Sequence, residues 1–459
     1  MTHVTGTSGV AGLRTTLDRD AIGVELHARV RRLYPICRSI TGDGLRQTLR
    51  IIGEEVPLTM EEVATGTPVF DWTVPKEWNI RDAYIKNSRG ERIVDFKASN
   101  LHVVNYSTPV HTQMSLEALR PHLHSIPEHP EWIPYKTAYY AETWGFCLPQ
   151  RQLASLVEDD YEVCIDSTLG PGHLTLGQCV VNGASSEEVL VSCHSCHPSL
   201  CNDNLSGISV GVTLARLLAG VAHRYTYRFL FIPGTIGAIT WLARHEGDAA
   251  HVQHGLVLAC VGDRGTVTYK RSRRGQATID RAVVHVLSTS GDRFDVKDFS
   301  PYGYDERQYC SPGFNLPVGV WSRTPHGCFP EYHTSADNVD FVDPASLTDT
   351  LSKILAVVEV LEGDAVTLNR NPKCEPQLGK RGLYSTMGGH GGKREMEFAI
   401  LWVLNQSDGG NSLLDIAERS GLPFALIRRA ADALIHHDLL DEVRVGASSS
   451  SQRAGAPAV

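Results

Sequence analysis

Between residues 187 and 263 the chain alternates short, mostly apolar runs with longer amphipathic ones, and few folds accept that pattern. "EEVLVSCH" (187–194), "TYRFLFIPG" (226–234) and "HGLVLACVGD" (254–263) have the length of strands. "LSGISVGVTLARLLAG" (205–220) and "TIGAITWLARHE" (235–246) have the length and spacing of helices. A strand that is apolar on both faces must be covered on both, which parallel strands joined by crossover helices achieve. The expectation is an α/β fold with a mostly parallel sheet. In such sheets ligands bind beyond the carboxyl ends of the strands. His194 closes the first run, Gly234 follows the second and Asp263 closes the third, so the chemically active residues collect where a ligand is expected.

The flanking sequence has a different texture. Ile22, Val24, Leu26, Val30 and Leu33, then Leu45, Leu49 and Ile52, follow helical spacing, so residues 1–64 are expected to be the N-terminal helical part of the core. Residues 65–130 carry short aromatic and β-branched runs with "NSRGE" as a hairpin-type turn, which predicts an inserted β-rich domain. The core is expected to resume over 131–380. Residues 390–446 read as three helices with a helix–turn–helix cadence, and 447–459 have the composition of a disordered tail.

With 459 residues the chain exceeds what one core usually accommodates. Its net charge of -9 argues against a general nucleic-acid or anionic-membrane binder. The first twenty residues contain no apolar core of signal-peptide length, and the apolar stretches are too short to span a bilayer, so a cytoplasmic protein is expected. Eleven cysteines without regular spacing suggest buried thiols rather than a disulfide framework, with the Cys193–Cys196 CxxC leaving a redox pair as the alternative.

Five segments look like parts of one site: "HSCH" (194–197), "NDN" (202–204), "VGD" (261–263), "YDERQY" (304–309) and "PEYHTSADN" (330–338). A hydrolytic zinc site needs imidazole and carboxylate ligands and an open position for water. Taken singly each segment has a plainer explanation. "NDN" before a helix is the composition of an N-cap, Asp263 could be a loop carboxylate, and "DER" a surface ion pair. Asp337 and Asn338 are available to orient His333.

These blocks, with "PGTIGAITWL", resemble the aminopeptidase-like family with a zinc-peptidase core, which belongs with the di-zinc aminopeptidases; the resemblance runs from about residue 20 to residue 375. It implies a three-layer aminopeptidase-like core, a small β-domain inserted near the N-terminus and a C-terminal winged helix. It implies Zn2+, one or two ions, with His194 as first histidine ligand, His197 as a second candidate, Asp203 as bridging carboxylate, Asp263 as a later ligand and His333 as the final histidine. Asp305, Arg307 and Arg323 are the expected substrate-binding residues.

One departure matters. The di-zinc enzymes carry a Glu-Glu pair after the next strand, where this chain has Gly234 and Thr235. Glu306 is the first candidate to replace the missing base and Glu331 the second, while pairing of Glu306 with Arg307 or Arg323 is the structural alternative. The expected function is zinc-dependent hydrolysis of an amide bond in a small amino-acid-like or specialised-metabolite substrate. Amidohydrolysis or acyl transfer on a specialised metabolite or a polysaccharide precursor is the enzymatic runner-up. A catalytically silent metal- or ligand-binding protein and a winged-helix regulator are the other classes. Against the regulator, "RRAADALIHHDLL" holds only two adjacent arginines. The expected partner is a small-molecule or short peptide-like substrate, without membrane or nucleic acid, and with a homo-oligomer left open.

Overall fold

The structure is a computed structural model describing residues 9–383 and 392–443, so the expected tail at 447–459 lies outside the described residues. The chain divides into two compact units. One comprises the described residues up to Val284 with Asp292–Leu355, and the other His285–Gly291 with the described residues from Ala356 onward.

The first unit is built on an eight-stranded sheet: β1 (Leu58–Ala64), β2 (His173–Val181), β3 (Glu188–His194), β4 (Thr226–Ile232), β5 (Val252–Leu258), β6 (Val267–Lys270), β7 (Phe294–Lys297) and β8 (Val318–Ser322). Their order is β1-β2-β4-β3-β5-β8-β6-β7. The central run β4-β3-β5-β8 is parallel, as is β6-β7, and the remaining three pairings are antiparallel. Every residue of β3 and β4 is buried, as their predominantly apolar runs require. The charged exceptions are satisfied: Arg228 donates from Nε and Nη2 to the two Glu188 carboxylate oxygens at 2.7 Å each.

Helices α1 (Arg19–Leu33), α2 (Asp43–Gly53), α3 (Gly207–Ala219) and α4 (Ile236–Arg244) cover this sheet. α3 sits close because Gly211 has no side chain: a Cβ there would lie 3.1 Å from Cys193 Sγ and 3.4 Å from the Phe231 ring. Fully buried side chains such as Leu190, Phe229 and Phe231 each contribute about 1.5–3 kcal/mol through removal from water.

The insertion is a four-stranded antiparallel sheet in the order Arg92–Asp95, Glu77–Lys86, Asp160–Gly170, Val110–Ser115. It has its own core of Ala83, Ile85, Val94, Phe146, Tyr161, Val163 and Ile165. This corrects the boundary at 130, because Asp160–Gly170 is one of its two inner strands. Only two residues separate that strand from β2, and its half-buried alternation reads the same whichever sheet it joins.

The second unit contains helices Gly392–Gln406, Leu413–Ser420 and Phe424–His436 and a three-stranded antiparallel sheet with Val366–Asn369 at its centre. The expected start at 390 is therefore too late, because this sheet's central strand, Val366–Asn369, lies before it; the strand is only four residues long and far in sequence from its partners. A capping box starts the second helix, with Ser412 Oγ accepting from the Asp415 amide and the Asp415 carboxylate accepting from the Ser412 amide. No helix among the described residues is long and apolar enough to cross a membrane.

Candidate metal centre

β3 delivers His194 at the end of the central parallel run, and the wide helical turn Cys201–Ser206 before α3 turns Asp203 back toward it. His194 Nε2 lies 2.8 Å from Asp203 Oδ1, while His333 Nε2 lies 3.1 Å and His197 Nδ1 3.8 Å from Asp203 Oδ2. One carboxylate thus stands among three imidazoles drawn from two segments. Asp203 and His194 are almost wholly buried, and His333 is partly open. Burial opposes ionisation of Asp203, but the charges and hydrogen bonds of His197, His194 and His333 outweigh it and hold its pKa well below the usual carboxylate range.

These residues fit a metal ion. Potential ligand atoms of His194, His197 and Asp203 all lie within 4.8 Å of one another. His197 Nδ1 is buried without a hydrogen-bond partner, and burial brings the ring's pKa down to about 3, so a neutral lone pair is available.

The "NDN" residues form a framework and not an N-cap, for α3 begins without a side-chain cap. Asn202 Nδ2 donates to Asp263 Oδ2 at 2.9 Å, and Asn202 Oδ1 accepts from the Gly262 amide at 2.9 Å. Asn204 Nδ2 donates to the Leu258 carbonyl at 2.8 Å. Asp337 accepts the Asn202 and Asp203 amides at 2.6 and 3.0 Å, and burial pushes its carboxyl up to about 8. Buried Arg38 donates from Nε to the His197 carbonyl at 2.8 Å, fixing the loop that follows His194.

Two expected ligands or contacts lie elsewhere. Asp263 does not join the histidine cluster. Its oxygens accept from Asn202 Nδ2, the Gly265 amide, and the Thr324 amide and hydroxyl, so it clasps two loops together. Arg323 donates to the Gly265 carbonyl and to Asp349 Oδ2, at 3.0 and 2.9 Å, and does not line the cavity.

The candidate bases also move. Glu306 is buried, takes Lys270 Nζ at 2.7 Å and does not line the cavity; nor does Glu331. Its neighbour Asp305 does. Asp305 Oδ1 accepts the Thr235 amide at 2.6 Å, and Oδ2 is buried without a partner. Burial pushes this carboxyl up to about 6, against the pull of His194 and the Thr235 amide. Arg307 donates to Thr235 Oγ1 at 3.3 Å, and its Nε is buried and unpartnered.

Cys193 and Cys196 are free thiols with different partners: Cys193 donates to the Gly207 carbonyl and Cys196 accepts the Gly234 amide. Burial pushes the Cys196 thiol up to about 12, which suits packing and not redox exchange.

A cavity of about 390 Å³ opens over the centre, lined by His194, His197, Gly234, Thr235, Asp305 and Arg307 and by the rings of Trp72, Tyr139, Tyr140, Tyr302, Tyr304, His326 and Tyr332. Tyr304 stacks on His194 with centroids 5.1 Å apart, and Tyr332 on His333 at 3.9 Å. Tyr135 meets both His197 and His333 edge-on. The sequence reading missed these tyrosines as site residues. Tyr304 and Tyr332 sat inside "YDERQY" and "PEYH", whereas Tyr135 had no local signal.

Residues 27–364 match a family described as a domain of unknown function, DUF4910, and residues 365–442 match a winged helix-turn-helix family. A Clostridium acetobutylicum protein, provisionally named as a polysaccharide biosynthesis protein with an aminopeptidase-like domain, is 52% identical over 418 residues, 91% of this chain and 96% of that one. The crystal structure of a provisionally named peptidase from Clostridium acetobutylicum is similar with a TM-score of 0.91 at 49% identity, covering 95% of this chain and all of that one. BSAP, a zinc aminopeptidase from Bacillus subtilis, is similar in fold at a TM-score of 0.53 and 12% identity, covering 73% of this chain and 94% of that one. The core is thus aminopeptidase-like in fold. With more than half its length matched, the chain belongs to the DUF4910 family, its aminopeptidase-like α/β core followed by a winged helix-turn-helix.

Proposed function

We propose that this chain is a zinc-dependent hydrolase of an amide bond in a small amino-acid-like or specialised-metabolite substrate, with Asp305 as proton acceptor. The observation that carries the reading is Asp305 Oδ2, a buried and unpartnered carboxylate oxygen on a residue that shares its cavity wall with His194 and His197. Glu306 also keeps one buried, unpartnered oxygen, Oε2, but it is the weaker base because it does not line the cavity and its Oε1 is held by the Lys270 cation.

Zinc held by His194, His197, Asp203 and His333 would polarise the amide carbonyl and lower the pKa of a bound water. In its ionised form Asp305 takes a proton from the attacking water and returns it to the leaving nitrogen. The water oxygen joins the acyl carbon, the C–N bond breaks, and an acid and an amine leave. A pKa near 6 suits this shuttle close to neutral pH. The Thr235 amide keeps the carboxylate turned, and the aromatic walls limit stray water. The zinc-aminopeptidase fold and the 52% identical relative named for polysaccharide biosynthesis support a hydrolase acting on a small metabolite or precursor.

Metal analysis together with a screen of aminoacyl and acyl amides tests this. Zinc should co-purify or rebind, and at least one amide should be hydrolysed only by the metal-loaded protein. Hydrolysis that continues undiminished after chelation would refute the zinc reading.

Gly234 favours a second reading, a metal- or ligand-binding protein without catalysis, because glycine offers no side chain where the related enzymes place a glutamate. A Cβ at 234 would lie 3.6 Å from Cys196 Sγ and from His194 Cβ, so the wall has room for one. A Gly234→Glu variant that gains aminopeptidase activity absent from a well-folded, zinc-loaded parent would favour that reading.

A further inference from the structure

Contiguous exposed apolar surface marks a binding site where single exposed rings do not, and here three exposed aromatic rings gather at one cavity. Trp72 is 41% exposed, Tyr140 53% and Tyr302 74%, and all three line it. Trp72 and Tyr140 meet edge-on with centroids 5.5 Å apart, giving a two-ring ledge. Among the lining residues Ile40 is the one branched aliphatic side chain. A cavity that selected a leucine- or valine-like peptide side chain would be walled by aliphatic groups. This one offers ring faces, phenol hydroxyls and, besides His197 Nδ1 in the histidine cluster, two unpartnered buried polar atoms, the acceptor Asp305 Oδ2 and the donor Arg307 Nε.

A pyranose matches that inventory. Its C–H face lies against an aromatic ring, and its hydroxyls both donate and accept. A sugar that also presents an amide to the histidine cluster is an N-acylated amino sugar. We infer that the cavity binds an N-acyl amino sugar, its acyl amide directed to His194, His197 and Asp203 and its ring face stacked at Trp72 and Tyr140. The fate of the amide rests on the hydrolase reading above, whereas the binding subsite does not. Under that reading water adds its oxygen to the acyl carbon, the C–N bond breaks with the proton passing to nitrogen, and a carboxylic acid and a free amino sugar result.

Calorimetric titration of the full-length protein with N-acetylglucosamine, N-acetylgalactosamine and tetra-N-acetylchitotetraose, with leucine amide for comparison, tests the subsite. At least one saccharide should bind in preference to leucine amide. Trp72→Ala and Tyr140→Ala should each weaken it about 10-fold, the scale of a lost aromatic stacking partner. Phe398→Ala, at an exposed ring of the second unit, should leave binding unchanged. Both test positions are substantially exposed, and circular dichroism checks that each variant folds. Acetate release is followed separately. Saccharide binding that depends on Trp72 and Tyr140 without acetate release supports the subsite and removes the deacylation. Leucine amide cleavage without saccharide binding keeps the hydrolase and overturns this inference, as does saccharide binding indifferent to both substitutions.

Discussion

The backbone N–H of Thr235 donates to Asp305 Oδ1 at 2.6 Å. Through that bond a carboxylate from a distant segment joins the cavity wall that Gly234 leaves bare, although the two residues lie 70 positions apart in the chain. The acidic function absent from one segment is present in another.

Asp305→Asn should therefore lower turnover by about 10²–10⁴-fold, the usual contribution of a general base, while leaving zinc content intact. The base must be ionised. With its carboxyl raised to about 6, kcat/KM of the wild type should fall as pH drops through about 6 and level off above it. The variant should lose that acidic limb. A pH–rate profile of both proteins decides the matter, and an acidic limb that survives at wild-type rate removes Asp305 from the mechanism.

Asp203→Ala should abolish stoichiometric zinc. Loss of a mere orienting partner already costs about 10–100-fold in metal affinity, and Asp203 touches His194 and His333 directly. Elemental analysis after gel filtration measures it; full zinc occupancy in the variant means the centre is misplaced.

Asp263→Ala should do the reverse. Zinc should stay bound, but Asn202, Gly265 and Thr324 lose their common acceptor, and each buried donor left unpaired costs about 1–3 kcal/mol. Urea unfolding and zinc analysis on the same sample separate the two effects. A zinc loss equal to that of Asp203→Ala would make Asp263 a ligand after all.

Asp337 gives the metal-free protein a pH-dependent stability. Its folded pKa of about 8 lies above the unfolded value, roughly 3.9. The protonated form is the one the fold favours, so this contribution is fully present below about pH 4 and is lost as pH rises through about 8. Urea midpoints should fall over that range, and Asp337→Asn should flatten the fall while costing about 1–3 kcal/mol for the altered amide acceptor. Parallel declines in both proteins would show that another group is responsible.

The winged helix should not bind DNA in a salt-sensitive manner. Arg428 is taken up by Asp432 and Glu442, at 2.5 Å each, which leaves Arg429 as the exposed cation of the adjacent pair. Neutralised arginines release no counterions from a duplex. Mobility shifts on a random duplex pool at two salt concentrations check this, and sub-micromolar binding lost at the higher salt would contradict it.

The central strands were legible in the sequence because burial on both faces leaves a predominantly apolar run; every residue of β3 and β4 is buried. His194, Asp203 and His333 were singled out by dense motifs and by the family resemblance those motifs carry, and the fold brings the three side chains together. Local pattern did not reveal which sheet Asp160–Gly170 joins, since a half-buried strand alternates alike in either. Nor could it separate Asp305 from Glu306. They are adjacent and both acidic, but successive residues entering a helical turn point in different directions, one toward the Thr235 amide and the cavity, the other toward Lys270. Asp263 was misread for the same reason: β5 ends at Leu258, so Asp263 lies in the loop beyond it, and its side-chain partners Asn202 and Thr324 come from segments more than sixty residues away on either side. Composition and periodicity determine which residues are buried and which elements form. The direction of a buried carboxylate is set by hydrogen-bond donors that only the folded chain brings within reach.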